Sequence, residues 1–128
     1  MTEPTFNPES ILDSVKKAIG LDPAYDVFDP DLVMHINSVF FTLNQLGVGP
    51  AAGFAISGSE ETWDTFLGGD LRLNSVKTYV LLKVRLLFDP PATSFAISSM
   101  EKQCEQYEWR LNVHAESLSW TEPTVVSE

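Results

Sequence analysis

The sequence has few of the features that mark a secreted or membrane-spanning protein. Cys104 is the only cysteine, so no disulfide can form within the chain, as is usual in a reducing compartment. No run of about 18 or more apolar residues, the length that a transmembrane helix needs, is present. The opening residues, Met-Thr-Glu-Pro-Thr-Phe-Asn, are polar and acidic and do not resemble a signal peptide. We therefore expect the protein to stay in the cytoplasm of the cell that makes it, without membrane contact.

Basic residues are also scarce. The chain has 8 lysines and arginines against 18 aspartates and glutamates, a formal net charge of -10. Such a balance argues against a direct hold on DNA phosphates, which requires clustered bases. Residues 1–70 contain two bases and eleven acids, whereas residues 71–88 contain four bases and no acid. Either each copy presents a negative and a positive surface that meet in an assembly, or these charges pair within the fold or face solvent.

Capping residues and hydrophobic periodicity predict five helices. They cover residues 8–19, 30–46, 59–68, 74–88 (with a start at Asn74 or Asp70) and 95–115. The second has the clearest limits, because Asp29 is placed to cap it, Pro30 suits its first position and Gly47 supplies a left-handed stop. Glycine and proline in residues 48–59 indicate a loop, with a short extended piece as an open alternative.

The last two predicted helices form a pair. Helix 74–88 is apolar nearly all round, which predicts a central position, and Asp89-Pro-Pro91 is a connection short enough for an antiparallel helical hairpin. The last helix carries a heptad seam, formed by Ile97, Met100, Cys104, Tyr107, Leu111, His114 and Leu118. With only three heptads, this seam is better explained by packing on helix 74–88 than by a free coiled coil.

These patterns predict an all-α fold. We expect one domain over residues 1–128, a small bundle of about four to five helices that includes the C-terminal αα-hairpin and an extended C-terminal tail. Residues 1–7 and 117–128 are too polar to build core and are predicted to be flexible or docking arms.

The sequence shows no constellation that is typical of an active site or a metal site. Cys104 and His114 lie ten residues apart on one predicted helix, about 15 Å along its axis, which is beyond the reach of a nucleophile and its base. Glu60, Glu61 and Asp64 suit the first turn of a helix rather than a catalytic pair. We therefore predict no enzymatic activity, no catalytic residue, no cofactor and no bound metal.

Several side chains remain for contacts between molecules. The candidates are the bases of residues 71–88 and apolar anchors towards the C-terminus, namely Arg72, Lys77, Lys83, Arg85, Trp109, Leu118 and Trp120. Phe95, Trp109 and Val113 lie off the heptad seam and need a second partner surface. Glu101, Glu105 and Glu108 run beside the seam, rotated by about 100°, and their simplest interpretation is a solvated face.

Six segments, in their order and spacing, resemble the phage head-to-tail connector family, also called head completion or adaptor proteins. The segments are Phe28-Asp-Pro-Asp31, His35-Ile-Asn-Ser-Val39, Leu43-Asn-Gln-Leu-Gly-Val-Gly-Pro50, Asn74-Ser-Val-Lys-Thr-Tyr-Val80, Leu87-Phe-Asp-Pro-Pro91 and Glu108-Trp-Arg-Leu111. Each is common on its own, and together they fall within residues 8–115, nearly the whole chain.

The resemblance implies a helical bundle whose copies form a closed ring, usually a dodecamer, under the portal protein. Such a ring lies in the neck of the virion, after assembly in the host cytoplasm. It joins the capsid to a tail or stopper protein below and lets the genome DNA pass without specific binding. Glu101, Glu105 and Glu108 would then be candidates to face the channel, where an acidic wall does not trap a moving duplex. The alternative is an acidic helical adaptor or regulator that binds a basic partner protein without forming a ring.

Overall fold

The computed structural model describes residues 9–67 and 73–119. Within these ranges the chain forms five helices: α1 (Ile11–Ala18), α2 (Asp29–Gln45), α3 (Trp63–Leu67), α4 (Leu73–Phe88) and α5 (Ser94–Ser119). The only β pairing among the described residues is a single antiparallel bridge between Ser10 and Thr62, and the loop 48–58 contains no strand. The predicted all-α, single-domain bundle is confirmed.

Helix α4 lies at the centre and contacts α1, α2 and α5. Its inner side is fully buried and consists of Val76, Tyr79, Val80 and Val84. This agrees with the predicted central position of the helix, although its other side is not enclosed. There Leu81 and Leu82 are only half-buried and Arg85 is exposed, because no described helix covers them completely.

Helix α5 packs against α4 through the predicted heptad seam. Cys104 and Leu111 are buried, and Ile97, Met100 and Tyr107 are half-buried. The α4–α5 hairpin is therefore confirmed, and so is its seam over residues 97–111 of α5. His114 and Leu118 lie on the last turns of α5, but their side chains fall outside what the structure describes.

The predicted starts of α1 and α2 are wrong. Helix α1 begins at Ile11 rather than at residue 8, because Ser10 is extended and its hydroxyl accepts a hydrogen bond from the amide of Asp13 at 3.2 Å. Helix α2 begins at Asp29 itself, and its N-cap, Phe28, makes no side-chain capping bond. The carboxylate of Asp29 is used instead to pair with Lys16, with Oδ1 and Nζ 2.7 Å apart.

The start of α3 and the end of α5 also differ from the prediction. Helix α3 is shorter than residues 59–68, because Thr62 caps it by accepting from the amide of Thr65 at 3.2 Å. Helix α5, capped by Thr93, runs on to Ser119. Residues 117–119 are thus helical rather than extended, while residues 120–128 of the predicted tail and the predicted arm 1–7 lie outside the described residues.

The three acids near the start of α3, Glu60, Glu61 and Asp64, do not form the predicted first-turn cluster. Only Asp64 lies in the first turn of the helix. The carboxylate of Glu61 folds back and accepts hydrogen bonds from the amide and hydroxyl of Ser57, at 2.9 and 2.8 Å, and from the amide of Gly58, at 3.3 Å. Burial alone would raise the pKa of the Glu61 carboxyl, but these hydrogen bonds outweigh burial and hold the pKa below its usual range. The charged form therefore closes the turn.

The segment between α2 and α3 is fixed to both α1 and α2. The side chain of Asn37 accepts from the amide of Ile56 at 2.7 Å and donates to its carbonyl at 3.0 Å. At the start of α1, the amide of Ile11 donates to Glu61 O. The indole Nε1 of Trp63 donates to Ser14 Oγ at 3.0 Å. A chain segment without helix or strand is thereby held in place by defined polar contacts.

Gly47 ends α2 as predicted, with a φ of 86° and a hydrogen bond from the amide of Val48 to Leu43 O at 2.9 Å, the pattern of a Schellman cap. Gly49 follows, with a φ of 93°. A Cβ atom at Gly49 would lie 2.5 Å from Cε1 of Phe66. The Phe66 ring is itself packed against Phe40 and Phe54, with centroids 4.5 and 5.1 Å away.

Gly49→Ala is therefore expected to destabilise the protein more than Gly53→Ala. Both glycines have a positive φ, so each alanine costs about 1–2 kcal/mol of backbone strain. Only the alanine at Gly49 also collides with the ring of Phe66, which adds about 1–3 kcal/mol of overpacking. Urea unfolding of the two variants measures the difference. Equal losses of stability would show that the ring of Phe66 moves aside freely.

Candidate assembly interface

The contact between α4 and α5 contains one polar cluster. The hydroxyl of Tyr79 donates to Glu108 Oε2 at 2.7 Å, and Lys83 Nζ lies 3.4 Å from the same oxygen. Burial and the hydrogen bond to Glu108 raise the pKa of the Tyr79 hydroxyl well above its usual range, so it stays a donor. Lys83 was predicted for contacts between molecules, and Glu108 for a solvated face or a channel wall. Both instead hold two helices of one chain together.

Cys104 lies beside this cluster and is 1% exposed. Burial raises the pKa of its thiol, an effect that nearby Lys83 opposes and Glu108 reinforces. A neutral, enclosed thiol packs as a small apolar side chain. Among the described residues, no three or more His, Cys, Asp or Glu side chains are grouped so as to hold a metal ion.

The predicted basic block of residues 71–88 is divided by the fold. Lys77 Nζ lies 5.7 Å from the ring centroid of Trp63, within the range of a cation–π contact. Arg85 instead faces outwards. It lies at an open groove of about 450 Å³, whose apolar lining includes Leu81, Leu82 and Met100. Arg72 lies outside the described residues.

The remaining predicted contact residues lie on α5 or beyond its end. Trp109 is 69% exposed, which agrees with its predicted place away from the seam. Glu101 and Glu105 are exposed on one flank of the helix. Leu118 lies in the last turns of α5, where side chains are not described, and Trp120 lies outside the described residues. The structure therefore brings Glu101, Glu105 and Trp109 together on the solvent side of α5.

Sequence reasoning missed two outward apolar side chains on α2. Met34 is 66% exposed and Phe41 is 62% exposed. They lie seven residues apart, off the apolar stripe that α2 buries, so they share the outer side of the helix. The stripe of α2 was visible in the sequence, and apolar residues that fall outside such a stripe were the signal that could have found this surface.

Large apolar side chains therefore remain exposed on α2 and α5, two helices that both contact α4. Exposed apolar surface of this kind marks contact sites on soluble proteins. No helix within residues 9–67 and 73–119 is both long and apolar enough to cross a membrane. The chain is thus a small helical protein with large apolar side chains on its outer faces.

The chain belongs to the phage connector protein family, whose model matches residues 11–117. The match runs from the first residue of α1 to the last turns of α5, and it confirms the family suggested by the sequence. The protein is thus a phage structural connector and a component of the virion, in a family that associates with portal, capsid or tail proteins. No curated protein and no solved structure gave a match.

Proposed function

We propose that copies of this chain form a closed ring at the head–tail junction, dodecameric by resemblance to the family. The ring docks on the portal protein, meets a tail or stopper protein below, and lets the genome pass through its centre. The observation that carries this proposal is the family match over residues 11–117. It assigns almost the whole chain, rather than one motif, to the connector role.

The size of the domain supports a ring rather than a single collar-shaped chain. A compact domain of 128 residues has a radius of gyration of about 14 Å, too small to enclose a duplex and its hydration layer. A passage for DNA therefore needs several copies around one axis, and closed cyclic symmetry is the usual way to arrange them.

The charge of the chain suits the wall of such a passage. With a formal net charge of -10, the protein offers no broad basic surface to retain DNA phosphates. We assign the channel wall first to Glu101 and Glu105, because both are exposed. Glu108 adjoins them on α5, but its carboxylate already holds Tyr79 and Lys83. Arg85 and Trp109 are assigned to contacts with neighbouring subunits or the portal.

The full-length protein is expected to form ring-sized assemblies, alone or when mixed with its portal protein. Light scattering coupled to size exclusion, together with native mass spectrometry, would give a mass that is a whole multiple of the 14.2 kDa chain, or the mass of the portal plus such a multiple. Negative-stain images would show a central opening. A protein that remains monomeric alone and does not elute with the portal would contradict the ring and favour an adaptor that acts as a single copy.

A further inference from the structure

Helix α5 has an outer side on which apolar and basic residues alternate. Phe95, Lys102 and Trp109 follow each other at seven-residue intervals, and Val113 continues the row. Phe95 is 84% exposed, Trp109 69% and Val113 42%. Arg110 is exposed at the edge of the row. These five residues are called the α5 outer face. Glu105 lines the same open pocket as Lys102, Trp109 and Arg110, so the face with its border carries two positive charges and one carboxylate, while Glu101 lies further round the helix.

Helix α2 has an outer side of the opposite charge. Met34 and Phe41 are exposed there, and Asp31 is exposed in the first turn of the helix. Asp26 and Val27 are exposed just before the helix begins. These five residues are called the α2 outer face. Helix α2 contains no lysine or arginine, so this face is apolar and acidic.

The two faces do not meet within one chain, because the large side chains of both are exposed. Helices α2 and α5 both contact α4, and Asn112 of α5 donates to Leu46 O at the end of α2 at 3.4 Å. A contact between them needs two copies, and a contact between two different faces is heterologous, so it leads to a ring when the rotation closes.

We propose that the α5 outer face of one copy packs on the α2 outer face of the next copy around the ring. The aromatic and aliphatic side chains of the two faces are buried together, and Lys102 and Arg110 lie beside Asp26 and Asp31. The inference rests on the proposed ring and adds to it the pair of surfaces that forms each joint. Large aromatic side chains such as Trp109 are the usual anchors of such contacts.

Charge complementarity favours a second copy as the partner. The α2 outer face has acids and no base, so two such faces would repel each other, whereas the α5 outer face carries a net positive charge that can meet it. One face of each kind pairs two bases with two acids.

The test reverses the charge of each face in the full-length chain. One variant carries Lys102→Glu and Arg110→Glu, and a second carries Asp26→Lys and Asp31→Lys. Each is expected to weaken self-association by about tenfold or more, measured by light scattering over a dilution series or, if assembly needs the portal, on portal complexes. A variant with all four substitutions has both faces reversed, so it is expected to assemble again.

A matched control changes the same charge elsewhere. Glu60 and Asp64 are exposed near α3, and Glu60→Lys with Asp64→Lys is expected to leave assembly unchanged. Circular dichroism of every variant confirms that the bundle still folds. The proposed joint is wrong if a variant with only one reversed face assembles like the wild type. It is also wrong if the variant with all four substitutions does not regain assembly. If the wild type itself forms no assembly, alone or on the portal, the ring proposal fails first.

Discussion

Val84→Asp is expected to prevent folding, whereas Leu82→Asp, two residues earlier on the same helix, is expected to leave a folded protein. Val84 is 0% exposed on the inner side of α4, where a carboxylate would have no water and no partner. A buried, unpaired charge costs several kcal/mol, which is most of the about 5–15 kcal/mol that stabilises a domain. Leu82 is half-buried at the groove beside Arg85, so a carboxylate there reaches solvent.

Soluble yield and the helical circular dichroism signal measure this difference. The Leu82 variant is expected to lose about 1–3 kcal/mol, from the lost burial of one leucine side chain. If both variants unfold, the groove is closed in solution by contacts that the single chain does not show. If both fold, α4 is not the centre of the core.

Asp29→Asn is expected to destabilise the chain far more than Asp31→Asn. Both acids lie in the first turn of α2, so both substitutions remove the same favourable charge from the helix N-terminus. Only Asp29 faces Lys16, whose side chain is 1% exposed and whose Nζ also donates to Pro23 O at 2.9 Å. Among the described atoms, Asp29 Oδ1 is buried without a regular hydrogen bond, so the attraction is chiefly between the charges.

Removing that charge leaves a buried ammonium group with only neutral partners, the Pro23 carbonyl and the amide oxygen of the new asparagine. The expected loss is about 2–4 kcal/mol, since Asp29 itself is partly exposed and water screens the pair. The double variant Lys16→Met with Asp29→Asn removes both charges and is expected to recover most of the loss. Chemical denaturation of the wild type, the two single variants (Lys16→Met and Asp29→Asn) and the double variant gives the coupling energy between the two side chains. Equal effects of the Asp29 and Asp31 substitutions would mean that the pair does not form.

Local signals predicted the helices well, and contacts between distant residues explain where they failed. Gly47 ended α2 as expected because a left-handed stop depends only on the adjacent turn. Asp29 looked like a cap for the same local reason, but its partner is Lys16 on another helix, and no periodic pattern connects the two. Leu82 and Val84 were equally apolar in the sequence, and only the packing of α5 and α2 shows which one is enclosed.

The candidate interface could be predicted in part. Trp109 was found because a heptad seam defines which side of α5 is not buried. Lys77 and Lys83 were predicted for contacts between molecules because residues 71–88 contain no acid that could pair with them. Such a run does not show which side chains from other parts of the chain lie nearby in the fold. Their contacts with Trp63 and Glu108 became visible only when α3, α4 and α5 were placed in space.

The bond between Trp63 and Ser14 has a consequence for the order in which the chain folds. These residues are 49 positions apart, so their contact must close a long loop, and the entropy cost of closure rises with loop length. The α4–α5 hairpin is closed by a connection of only a few residues, and local contacts form early. We expect α4 and α5 to associate first and α1 to dock last. Docking of the acidic N-terminal half of the chain is then the slow step of folding.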